Sequence, residues 1–349
     1  MRETVIRPAM LAWLCRLGLA LAVFGLPATV SGAAEANRAA RMADFARPTG
    51  VPFPAENPFS PEKAELGRML FFDPSLSRSG TIACATCHHP RLAWGDGLPR
   101  AVGEARSPLP LRSPTMLGAA WLAAFGWDGK FPTLESVAFT PLSAAANMGR
   151  NEQELLADIA QNGTYRAAFD KLFPGEGVSR SSVERALATF ERTIVSAIAP
   201  FDRWIAGDEA AIPENAKRGF DLFTGRAECA ECHAGWRFTD DSFHDIGVAG
   251  DNEPGRGRLF PNSVRLRHAF KVPTLRDVAL RAPYMHDGSL ASLADVIALY
   301  DRGGVARPSL DPQIHPLALS AGERDDLIAF LQTLTGAEAR ERAPVNPVP

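Results

Sequence analysis

Two short cysteine motifs constrain this chain more than any other feature. One reads Cys-Ala-Thr-Cys-His and ends at His88, and the other reads Cys-Ala-Glu-Cys-His and ends at His233. Cys-x-x-Cys-His is the attachment signature of c-type haem: two thiols bond to the porphyrin, and the histidine binds the iron. The motifs therefore predict two covalent haem c groups. The residues predicted to hold them are the thioether-forming Cys84, Cys87, Cys229 and Cys232 and the iron ligands His88 and His233.

The same four cysteines have other interpretations. Four thiols could share one zinc ion, but the two pairs are far apart in the chain, and each carries a histidine that such a site would not need. They could form two disulfides in an exported protein. A redox Cys-x-x-Cys motif would require a thioredoxin-like βαβ context, which the sequence lacks. Two complete haem motifs on one chain favour haem.

The N-terminus has the layout of a secretory signal peptide over residues 1–34, with an apolar stretch at 9–30 between basic and small residues. Arg16 interrupts the apolar stretch and leaves too few uninterrupted residues for a comfortable bilayer span, which disfavours a retained anchor. We therefore expect the mature protein in the periplasm and not integral to the membrane. Cys15 would be removed with the signal peptide.

Composition excludes some function classes. The chain has 349 residues, a formal net charge of -3 and 46% hydrophobic residues. These values are ordinary for a soluble globular protein, and the length suggests two domains. The chain has no long basic run, so we expect no nucleic-acid partner.

Helical patterns recur in both halves, while strand signals are sparse, so we predict an all-α fold. Predicted helices run from Ser60 to about Phe72 and over residues 151–172, 180–199, 213–223, 289–300 and 320–334. Residues 64–71 and 216–223 form a weak internal repeat, because each places glycine and bulky apolar groups ahead of a haem motif. The repeat predicts two related domains.

The predicted organisation follows these segments in chain order. It comprises the signal peptide 1–34, an irregular lead-in 35–59, an N-terminal cytochrome c domain 60–205, a C-terminal cytochrome c domain 206–338 and a disordered tail 339–349.

Three further segments resemble the bacterial di-haem cytochrome c peroxidase family, which includes the MauG-type enzymes of methylamine utilisation. They are residues 125–129 (Phe-Gly-Trp-Asp-Gly), 270–276 (Phe-Lys-Val-Pro-Thr-Leu-Arg) and 282–289 (Ala-Pro-Tyr-Met-His-Asp-Gly-Ser). The resemblance spans roughly residues 55–336. It implies two cytochrome c-like helical domains with their haems near the domain interface.

The resemblance also implies roles for individual residues. In that family one haem reacts with peroxide and the other admits electrons. By position, His88 belongs to the peroxide-reacting haem and His233 to the electron-transfer haem. Trp127 matches a tryptophan that lies between the haems and can relay an electron, although simple interface packing would also explain it. His286 is expected near a haem propionate.

The second axial ligand at the second haem separates branches of the family, which use Met, or Tyr in the MauG-type enzymes. The equivalent residue here is Tyr300, and an anionic phenolate lowers a haem's potential. A core tyrosine near a helix end is the alternative. At the first haem, the chain between His89 and His233 has no histidine. That haem is therefore expected to keep an open or water-bound face.

The residues that handle protons in the family are altered. Its distal Gln and Glu align with Val137 and Asn147, and an amide can orient peroxide but cannot take its proton. Glu135, Glu104 or a water chain could substitute, so the catalytic candidates are Trp127, Asn147 and Glu135. The asparagine that binds calcium in relatives aligns with Arg112, whose fixed cation could replace the ion. Calcium is therefore doubtful.

Together these features predict a periplasmic di-haem enzyme of the cytochrome c peroxidase or MauG type. Its oxidant would be hydrogen peroxide. Its electrons would come from a small cytochrome c or cupredoxin, or from aromatic residues of a protein substrate. Homodimers are common in the family, so the resemblance allows one here. The rival from another class is a non-catalytic di-haem electron-transfer cytochrome, which explains the haem motifs equally well.

Overall fold

The computed structural model describes residues 38, 40–106 and 108–336. The predicted signal peptide and the predicted tail from 339 lie outside the described residues. In chain order the α-helices from residue 61 onward are α1 (Pro61–Phe72), α2 (Cys84–Cys87), α3 (Leu134–Ala138), α4 (Thr140–Ser143), α5 (Glu152–Gln161), α6 (Gly163–Leu172), α7 (Arg180–Arg192), α8 (Pro200–Ile205), α9 (Glu214–Phe223), α10 (Leu293–Asp301) and α11 (Ala321–Gln332).

Other regular structure in the described part of the chain is short. The 3₁₀ helices are Pro74–Leu76, Pro90–Leu92, Ala119–Trp121, Cys229–Glu231, Arg256–Arg258 and Val278–Leu280. Two-residue strands, β1 (Phe243–His244) and β2 (Phe270–Lys271), pair antiparallel with Phe243 opposite Lys271. The predicted helical fold class is thus confirmed.

Side-chain caps decide where several helices begin. Ser60 caps α1, as its Ser-Pro start predicts. The single helix predicted over residues 151–172 is instead two helices, α5 and α6. Asn162 lies between them, and its side-chain oxygen accepts the N–H groups of Thr164 and Tyr165. That cap begins α6 and so ends α5.

Two predicted helices are too long. The helix predicted over 180–199 ends at Arg192, where the N–H of Ile194 bonds three residues back to the carbonyl of Glu191 and closes the last turn. The helix predicted from residue 289 begins after Ser292, whose hydroxyl accepts the N–H of Asp295. A capping side chain, and not the start of the apolar pattern, determines that boundary.

Within the described residues, two large hydrophobic cores form, one in each half, beside a smaller cluster of Ala119, Phe125, Leu134 and Ala188. The first gathers buried residues between Leu66 and Ile194, and the second gathers residues between Phe201 and Leu334. Phe45, in the predicted lead-in, also packs in the second core, where its ring stacks on Phe238 at 4.8 Å.

Helix α8 packs in that second core as well. Its Phe201 and Trp204 are almost fully buried there, although both precede the domain boundary predicted at residue 205. The boundary itself stays a prediction.

The same helix crossing builds each core. In the first half α1 packs on α7, and an ideal Cβ on Gly67 would lie 2.0 Å from the carbonyl oxygen of Ala186. In the second half α9 packs on α11, and an ideal Cβ on Gly219 would lie 2.0 Å from the carbonyl oxygen of Asp326. Only glycine permits these two close approaches. In each half the helix that carries the glycine precedes a haem motif, as the internal repeat predicts.

Candidate haem centres

One cavity of about 1150 Å³ is lined by both halves of the chain. This volume exceeds that of most small-molecule sites and suits large prosthetic groups. The predicted site residues that line it are Cys84, Cys87, His88, Trp127, Asn147, Cys229, Cys232, His233, His286 and Tyr300.

The two motif histidines are oriented alike. Nδ1 of His88 lies 3.2 Å from the carbonyl oxygen of Trp94, and Nδ1 of His233 lies 2.8 Å from that of Phe238. In the tautomer with its proton on Nδ1, each ring donates to that carbonyl and leaves Nε2 for a metal. Burial lowers the pKa of both rings, to about 4 for His233. Both are therefore held in the neutral form that binds iron.

The motif thiols fit haem attachment better than the alternatives. The four described cysteines form no disulfide. Nor do their sulfur atoms converge on one point within residues 40–106 and 108–336, which excludes a shared four-cysteine zinc site there. Burial raises the pKa of the Cys84 thiol, and it raises that of Cys229 to about 12. Free thiols in pairs, each pair beside an oriented histidine, are the groups that covalent haem attachment requires.

Tyr300 lies on α10 and faces the cavity. Burial raises the pKa of its phenol, and the neighbouring thiols of Cys229 and Cys232 raise it further. The phenol and both thiols line the same cavity, close enough for their charges to interact. A positive metal charge is what would favour the phenolate in such surroundings.

Trp127 is held between the two halves. Its indole Nε1 donates to the carbonyl of Arg112 at 2.7 Å, and its own carbonyl accepts the N–H of Lys271 at 2.8 Å. The ring of His286 lies 6.4 Å from that of Trp127 and stacks on Phe270 at 3.7 Å, with 12° between the planes. His286 and Trp127 thus form one aromatic group at the cavity wall.

The position aligned with a calcium ligand carries a buried cation. The guanidinium of Arg112 donates to the carbonyl of Arg281, and the guanidinium of Arg281 donates to that of Thr274. Calcium requires several oxygen ligands, whereas here arginine side chains take these carbonyl oxygens. The residues present therefore do not fit a calcium ion.

The structure does not bring Glu135 to the cavity, where sequence reasoning had considered it as an acid. Arg192 donates two hydrogen bonds to its carboxylate, at 2.6 and 2.9 Å, and the amide of Asn57 donates a third. Burial would raise the pKa of Glu135, but these donors outweigh it and hold the pKa below its usual value. Glu104 also lies off the described cavity wall and pairs with Arg78. Asn147 and Val137 do line the cavity.

Glu191, on α7, is a cavity-lining acid that sequence reasoning missed. It is 5% exposed, and its Oε2 has no hydrogen-bond partner among the described residues. Burial raises its pKa to about 8. The sequence did carry a signal, because Glu191 follows Leu187 by four positions and so interrupts the apolar face of the helix.

Within the described residues, no helix is both long and apolar enough to cross a membrane. The predicted signal peptide lies outside these residues.

Two family profiles cover most of the chain. The profile described as di-haem cytochrome c peroxidase matches residues 61–210. The profile described as cytochrome c matches residues 216–335. Each profile contains one of the two haem motifs.

Whole-chain similarities agree with these profiles. The methylamine utilization protein MauG of Methylorubrum extorquens is 48% identical over 99% of this chain and 100% of its own length. The cytochrome c551 peroxidase of Nitrosomonas europaea is 32% identical over 85% of this chain and 86% of its own. A crystal structure of a MauG-like protein associated with microbial copper homeostasis matches with a TM-score of 0.79 and 31% identity, covering 86% of this chain and 98% of that one.

The geometry and the similarities agree on two cytochrome c-like domains, each with a covalently bound haem c, so this chain belongs to the di-haem cytochrome c peroxidase and MauG family of oxidoreductases.

Proposed function

We propose that this protein is a periplasmic di-haem enzyme that uses hydrogen peroxide as its oxidant. Its electrons come from a small cytochrome c or cupredoxin, or from aromatic residues of a partner protein. The observation that carries the proposal is Tyr300, whose phenol lies in the cavity beside the second haem motif. An oxygen ligand at that position is the feature expected of the MauG-type branch, and the likeness to MauG supports it.

Bound haem iron supplies the chemistry of peroxide cleavage and electron transfer. The chain's own residues position and tune it. His88 and His233 would hold the two irons through Nε2, and the phenol of Tyr300 would be a further ligand in the half that contains His233. Trp127 is tied by hydrogen bonds to Arg112 and Lys271 and would relay electrons between the halves. The amide of Asn147 orients peroxide.

The first test is the electron paramagnetic resonance spectrum of the oxidised protein with both haems attached. We expect a high-spin ferric signal from the His88 haem beside a low-spin signal from the His233 haem. The protein should then oxidise a reduced small cytochrome c or cupredoxin only when peroxide is added. Two low-spin signals would contradict the open site that the proposal requires.

A second candidate is a pure electron carrier, and one observation favours it. The side chains of Met116 and Met148 also line the cavity, and a thioether can complete the coordination of a haem iron. For a carrier, changing the responsible methionine to leucine would convert the first haem from low-spin to high-spin. For the enzyme, both Met116→Leu and Met148→Leu leave an already high-spin signal in place.

The Tyr300 assignment is tested by Tyr300→His and Tyr300→Phe. We expect both variants to change the low-spin signal and to raise the potential of the second haem, because the anionic ligand is gone. Peroxide turnover should fall with them. Tyr165→Phe is the matched control, since it removes a buried hydroxyl that bonds Asp73 in the first core. An unchanged second haem in Tyr300→Phe would refute ligation.

Location, assembly and electron source have separate measurements. Periplasmic fractionation with intact-mass analysis tests export and cleavage between Ala33 and Asn37. Light scattering distinguishes a monomer from a homodimer. Catalytic oxidation of a small redox protein supports the peroxidase branch, whereas a lasting oxidative change in aromatic residues of a partner protein supports the MauG-type branch.

A further inference from the structure

The two helix crossings make one pair of positions directly comparable. Phe190 on α7 and Phe330 on α11 approach the glycine of the crossing helix identically, each with its Cβ 2.8 Å from the ideal glycine Cβ. The residues that follow these two phenylalanines are therefore equivalent. In the first half that residue is Glu191, and in the second it is Leu331.

Both residues are buried at the cavity wall, each 5% exposed. Leucine suits an apolar wall, and Leu331 belongs to the second hydrophobic core. A carboxyl group at the same place loses its hydration, and the Oε2 of Glu191 regains no hydrogen bond from the described residues. Burying an unpartnered polar group costs free energy, so its presence needs a functional explanation.

The charged groups around Glu191 leave it responsive to the cofactor. Arg192 on the same helix favours its ionised form, and Glu135 on α3 opposes that form. These two residues neutralise each other in their own ion pair. Lys63 on α1 interacts with both members of that pair. On α2, burial raises the pKa of the Cys84 thiol, and the charge of Glu191 raises it further. This thiol becomes an uncharged thioether when haem attaches.

The group beside Glu191 whose charge changes in the mature protein is the haem attached at Cys84, because Glu191 and Cys84 line the same cavity and interact electrostatically. Oxidation adds one positive charge to its iron. In an interior of low effective dielectric constant, such a charge stabilises a nearby carboxylate and lowers its pKa. With burial raising the pKa of Glu191 to about 8, the carboxyl is protonated at neutral pH while the iron is reduced.

We propose that Glu191 is the proton-exchanging partner of the first haem. It releases its proton to water when the neighbouring iron loses an electron, and it takes a proton back when the iron is reduced. One electron and one proton thus move together, and the net charge at this wall stays constant. The second half has Leu331 at the equivalent position and lacks this coupling. The inference requires only haem attachment at Cys84 and Cys87 and is independent of reaction with peroxide.

The test is a redox titration of the protein with both haems attached, followed by the separate absorption bands of the two haems between acid and alkaline pH. At fixed applied potential, the oxidised-to-reduced ratio of the first haem should rise by up to about tenfold per pH unit while the coupling operates. Glu191→Gln should make the ratio independent of pH over that range. The ratio at the second haem should not respond to this substitution. Unaltered pH dependence of the first haem in Glu191→Gln would overturn the proposal.

Infrared difference spectra detect protonation of the carboxyl group directly. If the role of Glu191 were only structural, its carboxyl band would not change when the first haem is oxidised. Oxidation of the first haem should remove a protonated carboxyl band, and that band should be absent from Glu191→Gln. Glu191→Leu introduces the residue found in the second half and should also lack the band. If Glu191→Leu does not fold, Glu191→Gln still provides the test. Glu62→Gln, at an exposed position of α1, is the control and should keep the band. A band that persists in Glu191→Gln would count against Glu191.

Discussion

The two halves of this protein have the same scaffold around different cavity walls. Each packs two helices across a glycine and orients a motif histidine through a backbone carbonyl. They differ in the side chains near the haem motifs: Glu191 stands where the second half has Leu331, and Tyr300 lies beside the second motif. The comparison predicts that the shared scaffold attaches haem and that a few wall residues set the difference between the two haems.

The largest expected effect comes from removing the motif histidine of one half at a time. His88→Gly and His233→Gly should each lower peroxide turnover by more than about 100-fold, since even outer residues around a metal cost 10–100-fold. The spectra should differ, because each change disturbs only the haem of its own half. Absorption spectra and turnover with a reduced donor measure this. If His88→Gly altered the second haem instead, the assignment of the halves would be reversed.

Next in size is the loss of a buried ion pair in each half. Asp202 lies 2.7 Å from Arg276, whose side chain is 1% exposed, whereas Arg192, the partner of Glu135, is 8% exposed. Asp202→Asn should lower the free energy of unfolding by about 3–5 kcal/mol, because it leaves a buried cation unpaired. Glu135→Gln should cost about 1–3 kcal/mol. Urea unfolding measures the loss of unfolding free energy in both variants. A loss in Glu135→Gln that equals or exceeds the loss in Asp202→Asn would contradict the role of burial.

The Glu135 pair also predicts a pH dependence. Because the pKa of Glu135 is lowered in the folded protein, its contribution is complete above the unfolded pKa of about 4.3 and is lost as the pH falls through the lower folded value. Unfolding curves from neutral to acid pH should therefore converge for the parent protein and Glu135→Gln. A difference that grew on acidification would contradict this sign.

Smaller effects are expected where the two glycines meet the crossing helix. Gly67→Ala and Gly219→Ala should each cost about 1–3 kcal/mol, because the added methyl overlaps a backbone carbonyl. Gly322→Ala is the matched control: it also lies in a helix, but its Cβ would meet nothing within 4 Å. That change should stabilise the protein by about 0.5–1 kcal/mol. Thermal and urea unfolding distinguish these outcomes, and a harmless Gly67→Ala would contradict the close crossing.

The smallest effects concern helix caps. The hydroxyls of Ser60 and Ser320 cap α1 and α11, one in each half. Ser60→Ala and Ser320→Ala should each reduce stability by about 1 kcal/mol. Threonine at either position should restore most of the loss, since it retains the hydroxyl. A loss that threonine does not restore would assign the effect to packing instead of capping.

Features that depend on neighbouring residues could be predicted from the sequence. Features that depend on contacts between distant residues could not. The Cys-x-x-Cys-His spacing and the Ser-Pro cap of α1 act between neighbouring residues, so the sequence reveals them. The ion pair that removes Glu135 from the cavity joins residues 57 positions apart, and no local pattern indicates it. Glu191 is missed for a different reason: a single acid that interrupts an apolar helix face does not by itself indicate a cavity.

The packing of Phe45 has a consequence for biogenesis. An early part of the chain fills a gap between rings of the second core, and neighbouring Arg47 bonds Asp202 there. The core formed mainly by residues 201–334 is therefore completed by a segment that lies far before it in the chain. The ring of Phe45 can be buried only once the second half has folded, and a C-terminal half produced alone would lack part of its own interior.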